Sequence, residues 1–329
     1  MDQLPTSAAR EGSTFTVADF YEAGYERLSL SVLAGAERMD RIIEEPILNR
    51  PGLALTGFYK DFESRRVQVM GNAEVSYMHS KPLDELLESI RGFLEHRPAL
   101  VVFTNGAVPV PEGFPIADEF GVVVMSTPLS TRAFTHHSLF ILDHLAAPKM
   151  TIYGTMIEVC GLGILLESDP GIGKSETALG LLRRGAALIA DDLTCIRKDS
   201  AIDELYGSAS NSTVGFMEIR GIGIIHVPSI FGVDAVTGEK RLQLVITLKR
   251  FEEIRSEVDR IGQMRKTREI LGVKVPNIVI PVSEGRDLVN LVETAAQQHK
   301  LILSGQDPAA QLSLRLRNRA EGKPTLLPI

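Results

Sequence analysis

The sequence predicts an α/β protein of two domains, and three observations lead to that prediction. The 329 residues exceed the usual length of a single domain. Short apolar runs typical of buried strands alternate with segments of helical periodicity. The character of the chain changes at Ala146-Ala147-Pro148, after which β-rich runs dominate. We therefore expect a small N-terminal α/β domain followed by a separate C-terminal domain.

The N-terminal domain is predicted over residues 15–131, after a loose polar arm at 1–14. Its first helix should span 17–27, because Thr16 and Asp19 have the spacing of a capping box. A further helix is predicted over 82–95, where Pro82 opens the helix at a position that needs no N–H. The predicted strands lie in the apolar runs 28–34, 67–70, 100–104 and 122–125.

The second half of the chain is predicted to contain mainly strands, followed by a helix. Two predicted strands, 151–159 and 162–167, are joined by a hairpin at Cys160-Gly161, and a helix is expected over 288–303. The assigned segments are a connecting helix and linker at 132–149, a C-terminal domain at 150–312 and a basic, frayed tail at 313–329.

Composition excludes several classes of protein. The net charge of −7 provides no overall cationic field for nucleic acid or anionic lipid. Cys160 and Cys195 are too few for a disulfide framework and are expected to be core residues. No apolar run is long enough for a membrane helix, and the N-terminus has no apolar core typical of a secretory signal. We therefore expect a soluble, cytoplasmic protein.

One segment carries the clearest chemical signal. An apolar strand leads through a glycine-containing loop into a helix predicted over 175–184, which is the order of a phosphate-binding P-loop. Lys174 is expected to reach the β- and γ-phosphates of a nucleotide, and the hydroxyl of Ser175 to bind Mg²⁺. Ser168 replaces the usual first glycine, which is tolerable only where its φ is negative. The expected nucleotide-binding residues are Ser168, Asp169, Pro170, Gly171, Ile172, Gly173, Lys174 and Ser175.

Two adjacent carboxylates, Asp191 and Asp192, follow the next predicted strand at 187–190. In a right-handed βαβ unit the carboxyl ends of both strands lie at one edge of the sheet, so we expect these aspartates beside the P-loop. There, one carboxylate could support the metal ion and the other accept a proton from an incoming hydroxyl. A solvated turn is the alternative, and we favour the active-site interpretation.

The run Phe-Met-Glu-Ile-Arg-Gly-Ile-Gly-Ile-Ile-His at 216–226 is the second distinctive segment. It places Glu218 and Arg220 in apolar surroundings, and burying these charges unpaired would be costly. We therefore expect them to pair or to meet a ligand. On composition alone, a structural ion pair and a ligand site are about equally compatible with the pattern.

These segments resemble the HPr kinase/phosphorylases, bacterial enzymes that act on a serine of the phosphocarrier protein HPr. The resemblance covers about residues 14–310, and the E-I-R-G-x-G-x-I stretch at 218–225 is more specific to that family than the P-loop. The matching segments are 171–179, 188–192, 217–225, 259–262, 281–286 and, in the N-terminal half, 49–57.

The resemblance implies a P-loop kinase domain related in fold to phosphoenolpyruvate carboxykinase, placed after an unrelated α/β domain, in a hexamer. It implies ATP or pyrophosphate as phosphoryl donor, Mg²⁺ as cofactor and HPr as partner. By motif, Lys174 contacts the transferred phosphate, Asp192 is the general base, Ser175 and Glu218 bind Mg²⁺, and Arg260 is a catalytic arginine. In the reverse reaction phosphate attacks phosphoserine and releases pyrophosphate, with the same aspartate as acid.

Two positions depart from the family pattern. Tyr153 stands where the family usually has a histidine, and a phenol cannot shuttle protons near neutral pH as an imidazole does. Ser283 stands where the loop associated with dephosphorylation usually has a lysine, and losing that cation weakens a site for two phosphate groups. We therefore expect kinase activity to persist better than phosphorolysis.

Two other functions stay open at this point. A small-molecule or carboxykinase-like kinase would use the same P-loop domain with a narrow acceptor pocket. A non-catalytic nucleotide sensor is suggested by the departures at Ser168, Tyr153 and Ser283. Against the sensor, every residue that the resemblance assigns to metal binding or to catalysis of the forward reaction is in place.

Overall fold

The computed structural model describes residues 14–107, 110–210, 212–254 and 266–321. They divide into two compact units, the first ending at Ala147 and the second beginning at Pro148. None of the described helices is long and apolar enough to cross a membrane. Residues 1–13 of the arm predicted at 1–14 lie outside the described residues.

The first unit is built on a five-stranded sheet with helices against both faces. The strands of this unit are β1 Phe15–Thr16, β2 Ser31–Ala34, β3 Ile42–Ile43, β4 Leu48–Asn49, β5 Val67–Met70, β6 Leu100–Phe103 and β7 Val123–Ser126. Of these, β1 and β3 form a separate two-stranded sheet. Its helices are α1 Val17–Leu28, α2 Asn72–His79, α3 Leu83–Leu94, α4 Phe114–Phe120 and α5 Thr131–Ala146. The sheet order is β2-β7-β6-β5-β4, with β4 to β7 parallel and β2 antiparallel.

Alternation along β6 explains how this sheet buries both of its faces. Val102 packs with Phe20 of α1 and Phe134 of α5, whereas Val101 and Phe103 pack with α2, α3 and α4. The predicted connecting helix corresponds to α5, which packs one face, carrying Phe134, Ile141 and Leu142, into the core of the first unit.

Local signals at the first helix of this unit behaved as predicted. The hydroxyl of Thr16 accepts a hydrogen bond from the Asp19 backbone, and the Asp19 carboxylate accepts one from the Thr16 backbone at 2.7 Å. The capping box is thus confirmed.

Pro82 is the N-cap of α3 and precedes the helix by one position, outside its first turn.

The second unit contains a nine-stranded sheet and a separate two-stranded hairpin. Its strands are β8 Lys149–Tyr153, β9 Thr155–Val159, β10 Leu162–Ser168, β11 Ala187–Ala190, β12 Leu193–Asp199, β13 Glu204–Ser208, β14 Phe216–Ile219, β15 Gly223–His226, β16 Glu239–Arg250, β17 Lys266–Ile270 and β18 Val273–Val282. Its helices are α6 Lys174–Leu182, α7 Val227–Phe231, α8 Phe251–Ile254, α9 Leu288–Leu303 and α10 Pro308–Ala320.

Strand order in this sheet positions the site. The order is β11-β9-β10-β16-β13-β12-β8, with β18 beside β16 and β17 beside β18, while β14 and β15 pair only with each other. β9 is antiparallel to both β10 and β11. The two strands flanking β9 therefore run parallel, and their carboxyl ends share an edge with the amino end of β9. The sequence predicts that shared edge, but it does not predict the strand inserted between them.

Two sequence expectations in this unit were wrong. Cys160 lies in the β9–β10 turn with a φ of +53° and is exposed, because the hairpin needs a left-handed residue there. The predicted frayed tail is helical through Ala320, with Asp307 capping α10 by accepting hydrogen bonds from its first backbone N–H groups. Its last part, 322–329, lies outside the described residues.

Candidate active site

The segment 168–175 curls between β10 and α6 and lines a cleft of about 640 Å³. Gly171 and Gly173 have φ values of +81° and +101°, a region that glycine enters without steric cost. Ser168 keeps a negative φ, as its side chain requires. The residues that line the cleft are Tyr153, Ser168, Asp169, Pro170, Gly171, Ile172, Gly173, Lys174, Ser175, Glu176, Asp192, Glu218 and Arg220.

Lys174 opens helix α6 and is held by two oxygen atoms from neighbouring strands. Its Nζ donates to Asp192 Oδ1 at 2.8 Å and to Thr155 Oγ1 at 3.0 Å. The lysine side chain is 15% exposed, whereas that of Asp192 is 57% exposed and faces the cleft. A cation at the N-terminus of a helix, beside an exposed carboxylate, forms a site that can hold phosphate and accept a proton.

Both aspartates after β11 take part in this site. Asp191 Oδ1 accepts a hydrogen bond from the Thr155 hydroxyl at 2.6 Å, and its Oδ2 accepts one from the Glu218 backbone N–H at 3.1 Å. Asp192 has a φ of +57°, so the chain bends sharply between β11 and β12. In a regular strand, the side chains of two successive residues would point to opposite faces of the sheet. The bend instead keeps both carboxylates near the site, where Asp191 bonds to neighbouring strands and Asp192 faces the cleft.

The hairpin of β14 and β15 brings two charged side chains to the cleft. Glu218 and Arg220 are exposed there rather than buried in apolar surroundings, which corrects the sequence expectation. Arg220 Nη1 lies 3.7 Å from the position that a Cβ on Gly171 would occupy. Within the described part of the chain, neither charged group has a hydrogen-bond or ion-pair partner. Both are therefore available to a ligand.

The donor atoms at the cleft fit Mg²⁺ held together with a nucleotide. No group of three acidic, histidine or cysteine side chains able to hold a metal occurs among the described residues. Mg²⁺ bound through substrate phosphates needs only one or two protein ligands beside water. The exposed carboxylate of Glu218 and the hydroxyl of Ser175 supply that number in one cleft.

Comparison with known proteins identifies the family. Residues 15–142 match the HPr Serine kinase N terminus, and residues 144–316 match the HPr Serine kinase C-terminal domain. The chain belongs to the HPr serine kinase family. The predicted resemblance and the predicted two-domain α/β architecture are thereby confirmed.

Two curated relatives are similar to this chain over most of its length, and one solved structure is similar over less than half of it. The HPr kinase/phosphorylase of Leptospira biflexa is 38% identical over 293 residues, which is 89% of this chain and 91% of that protein. The HPr kinase/phosphorylase of Bacillus licheniformis is 35% identical over 297 residues, 90% of this chain and 95% of that protein. A solved structure, the Hpr(Ser) kinase/phosphatase from Coxiella burnetii, is 35% identical, with a TM-score of 0.45, and covers 47% of this chain and 93% of that chain.

The structure treats the three other residues that the family resemblance singled out in three different ways. Tyr153, at the end of β8, lines the cleft and is exposed. Ser283 follows β18 and is not among the described residues that line the cleft. Arg260, predicted as a catalytic arginine, lies outside the described residues.

One further acidic residue adjoins the phosphate loop. Glu167 immediately precedes Ser168 but points away from the cleft into the sheet, where it is almost fully buried. Burial raises the pKa of Glu167, and Arg268 at 3.7 Å only partly offsets that effect. Glu167 is not among the described residues that line the cleft.

Thr155 and Glu176 also belong to the site but were not predicted from the sequence. Glu176 lines the cleft from the first turn of α6, next to the predicted loop. Thr155 starts β9, and only the pairing of β9 between β10 and β11 brings it beside Lys174. Glu176 directly follows the P-loop in the sequence, and this position could have predicted that it lines the cleft. Nothing near Thr155 in the sequence indicates that it contacts Lys174 and Asp191.

Proposed function

We propose that this protein transfers the γ-phosphoryl group of ATP to a serine of the phosphocarrier HPr, with Mg²⁺ as cofactor. Membership of the HPr serine kinase family supports the reaction class and the acceptor. The observation that carries the proposal is the contact of Lys174, from the phosphate loop, with Asp192 at the cleft. A cytoplasmic location and a hexameric assembly are part of the proposal, as expected from the sequence.

The phosphate loop binds the nucleotide. Backbone N–H groups between Gly171 and Ser175 face the anion, and Lys174 neutralises charge on the outer phosphates. Ser175 and Glu218 would hold Mg²⁺, which, when bound, neutralises charge on the phosphate oxygens. The guanidinium of Arg220, which has no ion-pair partner among the described residues, adds a second cation beside Gly171 of the loop.

Asp192 performs the proton transfer. The serine hydroxyl of the acceptor attacks the γ-phosphorus, a new O–P bond forms, and the bond from phosphorus to the β-phosphate oxygen breaks to release ADP. The proton of the hydroxyl passes to the Asp192 carboxylate, which must lie within hydrogen-bond reach of it. Its 57% exposure leaves that carboxylate accessible to an acceptor that enters from solvent.

The decisive experiment is incubation with γ-labelled ATP, Mg²⁺ and an HPr protein, using wild type and Asp192→Asn. We expect label on HPr with wild type and a loss of about 10²- to 10⁴-fold in rate with the variant. Label on a metabolite but not on HPr would indicate the small-molecule kinase instead. ATP binding without any turnover would indicate the nucleotide sensor.

A further inference from the structure

Thr155 is a fully buried polar residue at the amino end of β9, where that strand passes between the phosphate-loop strand and the aspartate strand. Its hydroxyl is the only polar group of its side chain. That hydroxyl touches Lys174 Nζ at 3.0 Å and Asp191 Oδ1 at 2.6 Å. It therefore connects a residue that faces the cleft with one that does not line it.

The chemistry of the partners determines the direction of both hydrogen bonds. An ammonium group can only donate and an ionised carboxylate can only accept, so Thr155 accepts from Lys174 and donates to Asp191. Asp191 in turn accepts the backbone N–H of Glu218 at 3.1 Å. A chain of hydrogen bonds thus runs from the phosphate-loop lysine to the strand that carries the candidate metal ligand, and such chains strengthen each member.

We propose that Thr155 is a positioning residue for phosphoryl transfer, an inference that rests on the proposed function. It holds one N–H of the Lys174 ammonium against β9, which directs the remaining donors toward Asp192 and the cleft. When a phosphate oxygen replaces Asp192 as partner of the lysine, the bond to Thr155 stays. The ammonium is then fixed against the transferred group while the carboxylate is released to take the proton.

Threonine suits this role for two reasons. Its β-branched side chain has few rotamers on a strand, so the hydroxyl is held at one place. It also donates a hydrogen bond to Oδ1 of the half-buried Asp191 carboxylate, which valine of nearly equal shape would remove. A threonine that only filled the interior would affect stability but not the placement of the lysine.

The test compares Thr155→Val, Thr155→Ser and a control, Thr194→Val. Thr194 is equally buried, and its hydroxyl donates at 2.9 Å to the carbonyl of Gly154, next to Thr155 in the chain. Among the described residues, this hydroxyl makes no hydrogen bond to Lys174 or Asp191. The measurements are kcat and KM for ATP in HPr phosphorylation, the Kd of MgATP, and the denaturation midpoint of each variant.

We expect Thr155→Val to lower kcat about 30- to 100-fold, because a small misplacement of a catalytic group has effects of this order. KM and Kd for ATP should rise only about three- to fivefold, since the loop itself still binds the phosphates. Thr155→Ser should keep kcat within about threefold of wild type, because it keeps the hydroxyl. Thr194→Val should do the same, whatever it costs in denaturation midpoint. Equal kcat for the two valine variants, or no rescue by serine, would overturn the proposal.

Failure of the proposed function can be told apart from failure of this inference. If wild type binds MgATP but does not label HPr, the proposed function fails and Thr155 is judged from the Kd alone. In that case a rise confined to Thr155→Val supports the positioning role. An unchanged Kd in Thr155→Val refutes it.

Discussion

Lys174 Nζ lies 2.8 Å from Asp192 Oδ1, so the cation that should bind phosphate is paired with the carboxylate that should accept the proton. An ammonium that turns toward a phosphate oxygen gives up part of its contact with this carboxylate. Nucleotide binding and the ion pair therefore compete for the same side chain. The Asp192 carboxylate is therefore released from Lys174 when the phosphoryl donor is bound.

Asp192→Asn should bind MgATP more tightly than wild type although it no longer transfers phosphate. An ion pair with one exposed partner is weak, so we expect a gain of about two- to fivefold in affinity, measured by calorimetry. The matched control is Asp203→Asn, which breaks the contact with Lys198 at 2.7 Å, outside the cleft. Weaker binding by Asp192→Asn would contradict the competition.

Arg220→Ala should impair phosphoryl transfer by removing a cation that lines the cleft beside the phosphate loop. We expect kcat/KM for ATP to fall about 10- to 10³-fold. Arg220→Lys should recover part of this loss, because lysine restores the positive charge but not the planar guanidinium that forms two parallel hydrogen bonds. Arg183→Ala, at an exposed position after α6, is the control and should leave kcat/KM unchanged. An Arg220→Ala variant as active as that control would exclude contact with phosphate.

Phosphorolysis should be the weaker direction of the reaction. Tyr153 lines the cleft in the place of the histidine implied by the family resemblance, and a phenol is a poor proton shuttle at neutral pH. We expect pyrophosphate release from phosphorylated HPr to be at least about tenfold slower than the forward reaction, and Tyr153→His to raise it. Tyr153→Phe is the control and should not raise it. Comparable forward and reverse rates in wild type would refute the prediction.

An ion pair with one buried partner should stabilise the first unit. Nη2 of Arg50 donates hydrogen bonds to both carboxylate oxygens of Glu74, to Oε1 at 2.8 Å and to Oε2 at 2.7 Å. The side chain of this glutamate is only 7% exposed. Arg50→Ala should lower the free energy of unfolding by about 1.5 kcal/mol, toward the low end for a charged hydrogen bond because the arginine is half-exposed. Urea denaturation measures the loss. Arg91→Ala, which breaks a two-pronged pair with the exposed Glu119, should cost less.

The same pair gives stability a pH dependence. Burial alone would raise the pKa of Glu74, but hydrogen bonds from Arg50 and from the backbone of Gly71 and Glu74 itself lower it below its usual value. Its stabilising effect is therefore complete above the pKa of the unfolded chain and is lost as pH falls through the folded value. The difference between wild type and Arg50→Ala should shrink under strongly acidic conditions. A difference that stays constant there would contradict this account.

Features encoded within a few residues could be predicted from the sequence. The capping box at Thr16 and the phosphate loop before α6 depend on side chains that act on their own neighbours. Pairing across the sheet could not be predicted in this way. The hairpin of β9 with β10 was predicted, but the pairing of the other edge of β9 with β11, which follows helix α6 in the chain, was not. That pairing places Thr155 between Lys174 and Asp191. The exposure of Arg220 likewise follows from its hairpin remaining outside the main sheet.

The left-handed backbone of Asp192 limits what evolution or mutagenesis can place at that position. Aspartate, asparagine and glycine tolerate a φ of +57°, whereas alanine or a branched residue would strain the bend between β11 and β12. Asparagine therefore removes the ionisable group while conserving the conformation. A defect caused by alanine at the same place would mix lost chemistry with a distorted turn, so the amide is the cleaner probe of this aspartate.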